Sequence, residues 1–203
     1  MNTYSLPLFP LNVVICPEGL LPLRIFEARY LDMVRNCLRN DSFFGVVTVL
    51  PEGEGDEGDS MPFATVGTVM KIVEADVETI GLMMIRCIGQ HRFHIESFTQ
   101  QADGLVIGNI HDIPNDKPMA IPDDIQSASR VLQGLIKSFP TQGVPDDKIP
   151  ICQPYQLDDC AWVANRWIEL LDLPLIQKQR LMQLDSPLLR LELIQDILTT
   201  NAQ

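Results

Sequence analysis

Residues 6–38 read LPLFPLNVVICPEGLLPLRIFEARYLDMVRNCL, and two different periodicities meet within them. Leu6–Ile15 is almost wholly apolar but is interrupted by Pro7 and Pro10. Proline cannot donate to a β-ladder, so this segment predicts a strand at the edge of a sheet. From Ile25 to Leu38 the apolar residues Phe26, Tyr30, Met33, Val34 and Cys37 recur at steps of three and four, which predicts a helix with one continuous apolar face. Arg35 and Arg39 stand near its C-terminal end, where positive charge complements the helix dipole. A strand thus precedes a helix that must cover something.

Working outward, the first half is β-rich. Phe43–Leu50, Phe63–Glu74, Thr79–Gly89, His91–Phe98 and Leu105–Ile113 are strand candidates rich in Val, Ile, Phe and Thr. The texture changes near Pro114–Pro122, beyond which the chain is helical. Helices are expected over Asp123–Phe139, over Asp158–Leu171, from Pro174 to about Leu184, and over Leu188–Leu198. The last is introduced by Ser186 as N-cap and Pro187 at the first helical position. The expected lobes are residues 1–117, β-rich with one inserted helix, and residues 118–203, a helical bundle. The fold class is α+β, and no internal repeat is present.

Composition narrows the function. The 203 residues carry a formal net charge of −12. The first 118 residues hold 16 acids against 8 bases and the rest 11 against 7, so neither half is basic. Nucleic-acid and anionic-membrane binding both depend on Lys and Arg clusters, and both are disfavoured. The five cysteines form no CxxC pair. Cys37 lies on the helical stripe and Cys87 within an apolar strand, as buried reduced thiols do. No basic leader followed by an apolar run opens the chain, and no run reaches 18 apolar residues. The expected compartment is the cytoplasm.

Several candidate motifs dissolve on inspection. Gly53–Gly58 matches the dinucleotide fingerprint GxGxxG, but Glu52, Glu54, Asp56, Glu57 and Asp59 would repel a pyrophosphate. An acidic hairpin tip is the better reading. His91 and His94 are three apart on a strand and face opposite sides, one ring in and one out, so they cannot share a metal. His111 beside Asp112 has no nucleophile near it in sequence and no GxSxG elbow supports one. Asp123–Asp124 and Asp158–Asp159 precede helices and are read as caps, not as acid–base pairs. No catalytic residue, cofactor or metal is expected.

The Leu6–Leu38 block resembles the opening of the Lon protease N-terminal domain. So do Gly67, Thr68, Val69, Lys71 and Ile72, and the segment Gly89, His91, Arg92, Phe93 and Ile95. Trp162–Ile194 is similar to the helical end of short free-standing members of that family. Ala28 stands where the family usually has proline, and Cys16 where it has an apolar residue. The resemblance implies a β-rich, PUA-like pseudo-barrel with one inserted helix, followed by a helical bundle. It also implies a recognition module for polypeptides. The ATPase of the full protease needs a phosphate loop ending in Gly-Lys-Ser or Gly-Lys-Thr, and none of the five lysines is so placed.

The expected activity is therefore non-catalytic holding of unfolded or partially folded polypeptides, with a protease or chaperone as a further partner. The expected groove lies between the two halves. Met61, Phe63, Met83, Met84 and Trp162 are the candidate contacts, the methionines because flexible thioethers suit varied partners. Two alternatives stand beside this reading. One is a hydrolase. The other is an RNA or small-ligand module with a basic cleft built from Arg24, Arg29, Arg86 and Arg92.

Overall fold

A computed structural model describes residues 2–50, 62–145 and 148–201, so the acidic Gly53–Gly58 loop, Met61 and Asp146–Asp147 lie outside the described residues. The chain divides into two units, Met1–Asn115 and Asp116–Gln203.

The first unit holds strands β1 (Tyr4–Leu11) and β2 (Leu20–Ile25), helix α1 (Ala28–Asn40), and strands β3 (Phe44–Thr48), β4 (Val66–Thr79), β5 (Leu82–Gln100) and β6 (Val106–Asp112). The sheet order is β2-β5-β4-β3-β1-β6, and a further pairing of β5 with β6 closes it on itself. Five strands form the closed ring, with β2 appended to the first half of β5. This is a small pseudo-barrel with one helix inserted, as the family resemblance implied.

The β1 prolines do not place it at an edge. It runs between β3 (parallel) and β6 (antiparallel). Each proline sits where only one flank is paired. Pro7 precedes the β3 register, which starts at Leu8, and Pro10 follows the β6 register, which ends at Leu8. A missing N–H is harmless on an unpaired flank.

The two segments expected as separate strands around Gln90 are one continuous strand, β5. Its odd-numbered side chains face inward along most of its length, from Met83, Ile85 and Cys87 to Phe93 and Ile95. The first three belong to a core shared with α1, including Tyr30, Val34, Cys37 and Phe44, where the Phe9 and Tyr30 rings stack at 3.9 Å. The last two belong to the barrel interior with Leu6, Leu8, Val47, Phe63, Val69, Val106 and Ile110. Burial in the first core pushes the Cys87 thiol up to about 12, so it behaves as an inert apolar residue. Cys37 is likewise buried and free, as its place on the stripe foretold. Phe26 leaves that stripe: it precedes α1 and is 68% exposed.

Two glycines of the recognised motifs are fixed by close approach. A Cβ on Gly67 would lie 2.5 Å from the Val46 carbonyl oxygen and 2.6 Å from Cζ of Phe93. On Gly89 it would lie 2.3 Å from the Cys16 carbonyl oxygen. The 12–19 connection is tied down there: the Gly89 carbonyl accepts from Glu18 N–H at 2.8 Å, and the Thr68 hydroxyl donates to the Ile15 carbonyl at 2.6 Å.

The second unit is helical: a 3₁₀ turn at Asp123–Ile125, then α2 (Gln126–Thr141), α3 (Cys160–Leu170), α4 (Leu175–Gln183) and α5 (Pro187–Asn201). Ser186 accepts from Leu189 N–H at 3.2 Å, as an N-cap should. Asp159 caps α3, its carboxylate accepting from Trp162 N–H at 2.8 Å and from Met119 N–H at 2.9 Å. Asp123 and Asp124 lie in the first turn of the 3₁₀ segment without a side-chain cap bond. Replacing Asp159 with alanine frees two backbone donors at once. Asp159→Ala is expected to lower stability by about 1–2 kcal/mol, read as a drop in thermal midpoint against wild type.

Candidate polypeptide-binding surface

Beyond Met70 the β4 strand has lost its β3 partner, whose register covers only Thr68–Met70. From there Lys71–Thr79 pairs with β5 alone. On the other flank of β5, β2 has no second neighbour either. The result is a three-stranded ribbon, β2-β5-β4, whose two outer strands both present unpaired edges among the described residues. Such edges are templates for a further strand.

Its register sorts the side chains. Rows of directly opposed residues share a face. Val77, Met83 and Ile25 form one row, and Ala75, Ile85 and Leu23 form the next. Met83, Ile85 and Ile25 are buried, whereas Val77 at the margin is 64% exposed. The opposite face carries Asp76, Met84 and Arg24 in one row and Glu74, Arg86 and Pro22 in another. It is polar and laced with ion pairs, Arg86–Glu74 at 3.2 Å and Arg24–Glu78 at 3.8 Å.

The ribbon ends in a tight turn, Ile80-Gly81, joining the Thr79↔Leu82 pair. Gly81 has φ 82°, a left-handed value that glycine adopts without strain. Ile80 is fully exposed there. Phe26 lies one residue past the Ile25↔Met83 pair, so it belongs to the same end of the ribbon. Val73, at the register shift between Ile72 and Glu74, is also exposed. Phe26, Val73, Val77 and Ile80 thus bring apolar side chains to solvent along a ribbon with open edges.

The five residues singled out from sequence fall differently. Phe63 lies in the barrel interior, 3% exposed, with the Phe98 ring edge-on at 5.1 Å. Met83 is in the core beneath α1, and Met84 is half-buried on the charged face. Trp162 is 3% exposed, with the Arg166 guanidinium over its ring at 5.7 Å. Met61 lies outside the described residues. The exposed apolar residues at the ribbon tip were missed. The available signal was Thr79-Ile80-Gly81-Leu82, a two-residue connection ending in glycine.

The proposed basic cleft does not assemble. Arg24, Arg29 and Arg86 each pair with a glutamate, Arg29 with Glu27 at 2.6 Å, and Arg92 is buried. Neither His91 nor His94 points inside. His91 Nε2 meets Asp112 Oδ1 at 2.9 Å, beside the Tyr4 hydroxyl, which donates to the same oxygen at 2.8 Å. Burial and that carboxylate raise the Tyr4 phenol to about 12. His94 lies against His111 instead. No helix among the described residues is long and apolar enough to cross a membrane.

The family model for the ATP-dependent protease La (LON) substrate-binding domain matches residues 5–200. A Lon N-terminal domain protein from Xanthomonas campestris, known from its crystal structure, is 34% identical with a TM-score of 0.74, covering 94% of this chain and 96% of that one. The N-terminal domain of Mycobacterium avium complex Lon protease shares the fold at 13% identity, TM-score 0.63, over 95% of this chain and 97% of that one. Protein cereblon from Danio rerio is 27% identical over 114 residues, 56% of this chain and 26% of that protein. Lon protease 2 from Myxococcus xanthus is 30% identical over 100 residues, 48% of this chain and 12% of that protein. The matched regions thus span about a quarter or less of these two longer relatives. With the family model spanning nearly its whole length, the chain belongs to the Lon protease substrate-binding domain family.

Proposed function

We propose that this chain holds partly unfolded polypeptides, non-catalytically, by adding an extended segment of the client to an open edge of the β2-β5-β4 ribbon. The observation that carries this reading is the exposure of Val77 and Ile80 at the end of a ribbon whose two outer edges have no partner strand among the described residues. Strand addition supplies main-chain hydrogen bonds without demanding a sequence. The apolar tip then favours clients that expose hydrophobic side chains, as unfolding chains do.

Family membership supports the same direction, because the family is defined by substrate binding. A non-enzymatic role is supported by the lack of any Gly-Lys-Ser or Gly-Lys-Thr triplet in these 203 residues. The five cysteines, none of them in a disulfide, suit a reducing compartment such as the cytoplasm. The acidic surface and the glutamate-paired arginines favour a protein partner over RNA.

The test is fluorescence anisotropy with a labelled, permanently unfolded protein as client. Val77→Asp/Ile80→Asp is expected to weaken binding tenfold or more, since two apolar contacts worth roughly 1 kcal/mol each are lost. Both side chains are exposed, so the fold is unaffected and circular dichroism should be unchanged. Undiminished binding by the double variant, or cleavage of the client by the pure protein, would refute the reading.

A further inference from the structure

The β5–β6 pairing places His94 directly opposite His111, so both rings project from the same face. Glu96 stands at the register shift between Ile95 and Ser97, and its carboxylate reaches the same face, against the His111 ring. The ligand atoms these three offer all lie within 4.8 Å of one another. The two imidazoles are stacked, with centroids 5.2 Å apart and planes 27° apart. His111 Nδ1 is 2.8 Å from Glu96 Oε1, while His94 Nδ1 is 4.0 Å from the same oxygen.

One feature is left over by hydrogen bonding alone. His94 Nδ1 is shielded from solvent and has no hydrogen-bond partner among the described residues. A shielded nitrogen without a partner is costly in a protein that could turn it outward. It faces the one carboxylate oxygen that His111 already engages.

We infer that His94, Glu96 and His111 form a binding site for a divalent transition ion of the zinc type. Two imidazoles and one carboxylate are a donor set for zinc, which takes nitrogen at about 2.0–2.1 Å and carboxylate oxygen at about 2.0–2.2 Å. Calcium and magnesium prefer all-oxygen shells and are excluded by the two nitrogens. Donor atoms of a tetrahedral zinc site stand about 3.3 Å apart. The His94–Glu96 separation need close by about 0.7 Å, the His111–Glu96 contact need open by about 0.5 Å, and the two imidazole nitrogens, within 4.8 Å of each other, need close by at most about 1.5 Å, within the reach of side-chain rotations. With three protein donors the fourth position is open to water or to a client group. The site lies on strands rather than loops, so the backbone sets its geometry.

The experiment uses untagged protein, stripped with a chelator and desalted, titrated with zinc chloride against a chromophoric competitor. One equivalent should bind with micromolar affinity. His94→Asn and His111→Asn should each weaken binding at least tenfold, and Glu96→Gln by a smaller factor. His91→Gln should bind as wild type does. Cobalt substitution separates this site from the half-buried Cys152: the spectrum should lack a thiolate charge-transfer band. The His111 side chain is 18% exposed and the His94 side chain 40%, so circular dichroism of each variant is compared with wild type to check its fold. Substoichiometric binding, binding that survives His94→Asn/His111→Asn, or a thiolate band abolished by Cys152→Ser would each overturn the assignment.

Discussion

Phe93→Ala is expected to lower the unfolding free energy of the barrel unit by about 3–5 kcal/mol, the cost of emptying a ring-sized hole in a closed core. Phe93 is completely buried at the centre of the interior cluster, among Leu8, Val69 and Ile110. A five-stranded barrel is narrow, and its wall accommodates this ring because Gly45 and Gly67 both lack a side chain beside it. Gly67→Ala should therefore be destabilising too. It should remain so in the Phe93→Ala background, because the second obstacle, the Val46 carbonyl oxygen, belongs to the backbone and cannot rotate away. Denaturant titration of the four proteins measures both effects. Full rescue of Gly67→Ala by Phe93→Ala would show that the ring alone demands the glycine.

Arg190→Ala should cost the helical unit a similar amount, about 3–5 kcal/mol. The Arg190 side chain is 1% exposed. It donates to Asp116 Oδ2 at 2.9 Å, to Asn165 Oδ1 at 2.8 Å and to the Leu184 carbonyl at 2.6 Å. The last bond ties down the connection between α4 and α5, and the first holds the start of the unit against α5. Truncation takes a positive charge from beside the Asp116 carboxylate, itself 10% exposed, and removes the donor that the Asn165 amide oxygen and the Leu184 carbonyl share. The cost is mostly that of three buried acceptors losing this donor, not the net worth of the ion pair. Asp116→Leu/Arg190→Met should accordingly recover much of the loss. A double variant as unstable as Arg190→Ala alone would place the cost in the Asn165 and Leu184 contacts.

These two residues also mark what the chain discloses by itself. The helical half was readable because each helix carries its own punctuation: Asp159 before α3, and Ser186-Pro187 before α5. Periodicity of three and four also placed α1, apart from Phe26, which looks like a first-turn residue but sits outside the helix. The β half was readable as segments and not as a sheet. Nothing local to Pro7 and Pro10 says that each falls where one flank is unpaired, so β1 read as an edge when it is interior. Strand β2 went unseen because Pro22 and Arg24 break its pattern.

The candidate surface failed to declare itself for a related reason. Val77 and Met83 are opposed on one face, yet one is exposed and the other buried, since burial depends on where the core beneath the ribbon ends. Met83 and Met84 attract notice by residue type, while Ile80 gains its exposure from a turn. Likewise His94 and His111 are seventeen residues apart in sequence and meet only through the register of β5 and β6. Pairing is a tertiary fact, and residue type is not a substitute for it.

Amide hydrogen exchange of the chain with and without saturating unfolded client tests the central claim most directly. Strand addition predicts new protection concentrated in Leu20–Ile25 or in Lys71–Thr79, the two open edges, with the interior strands β1 and β3 unchanged. Protection absent from both edges and appearing instead on the helices α2–α5 would contradict it.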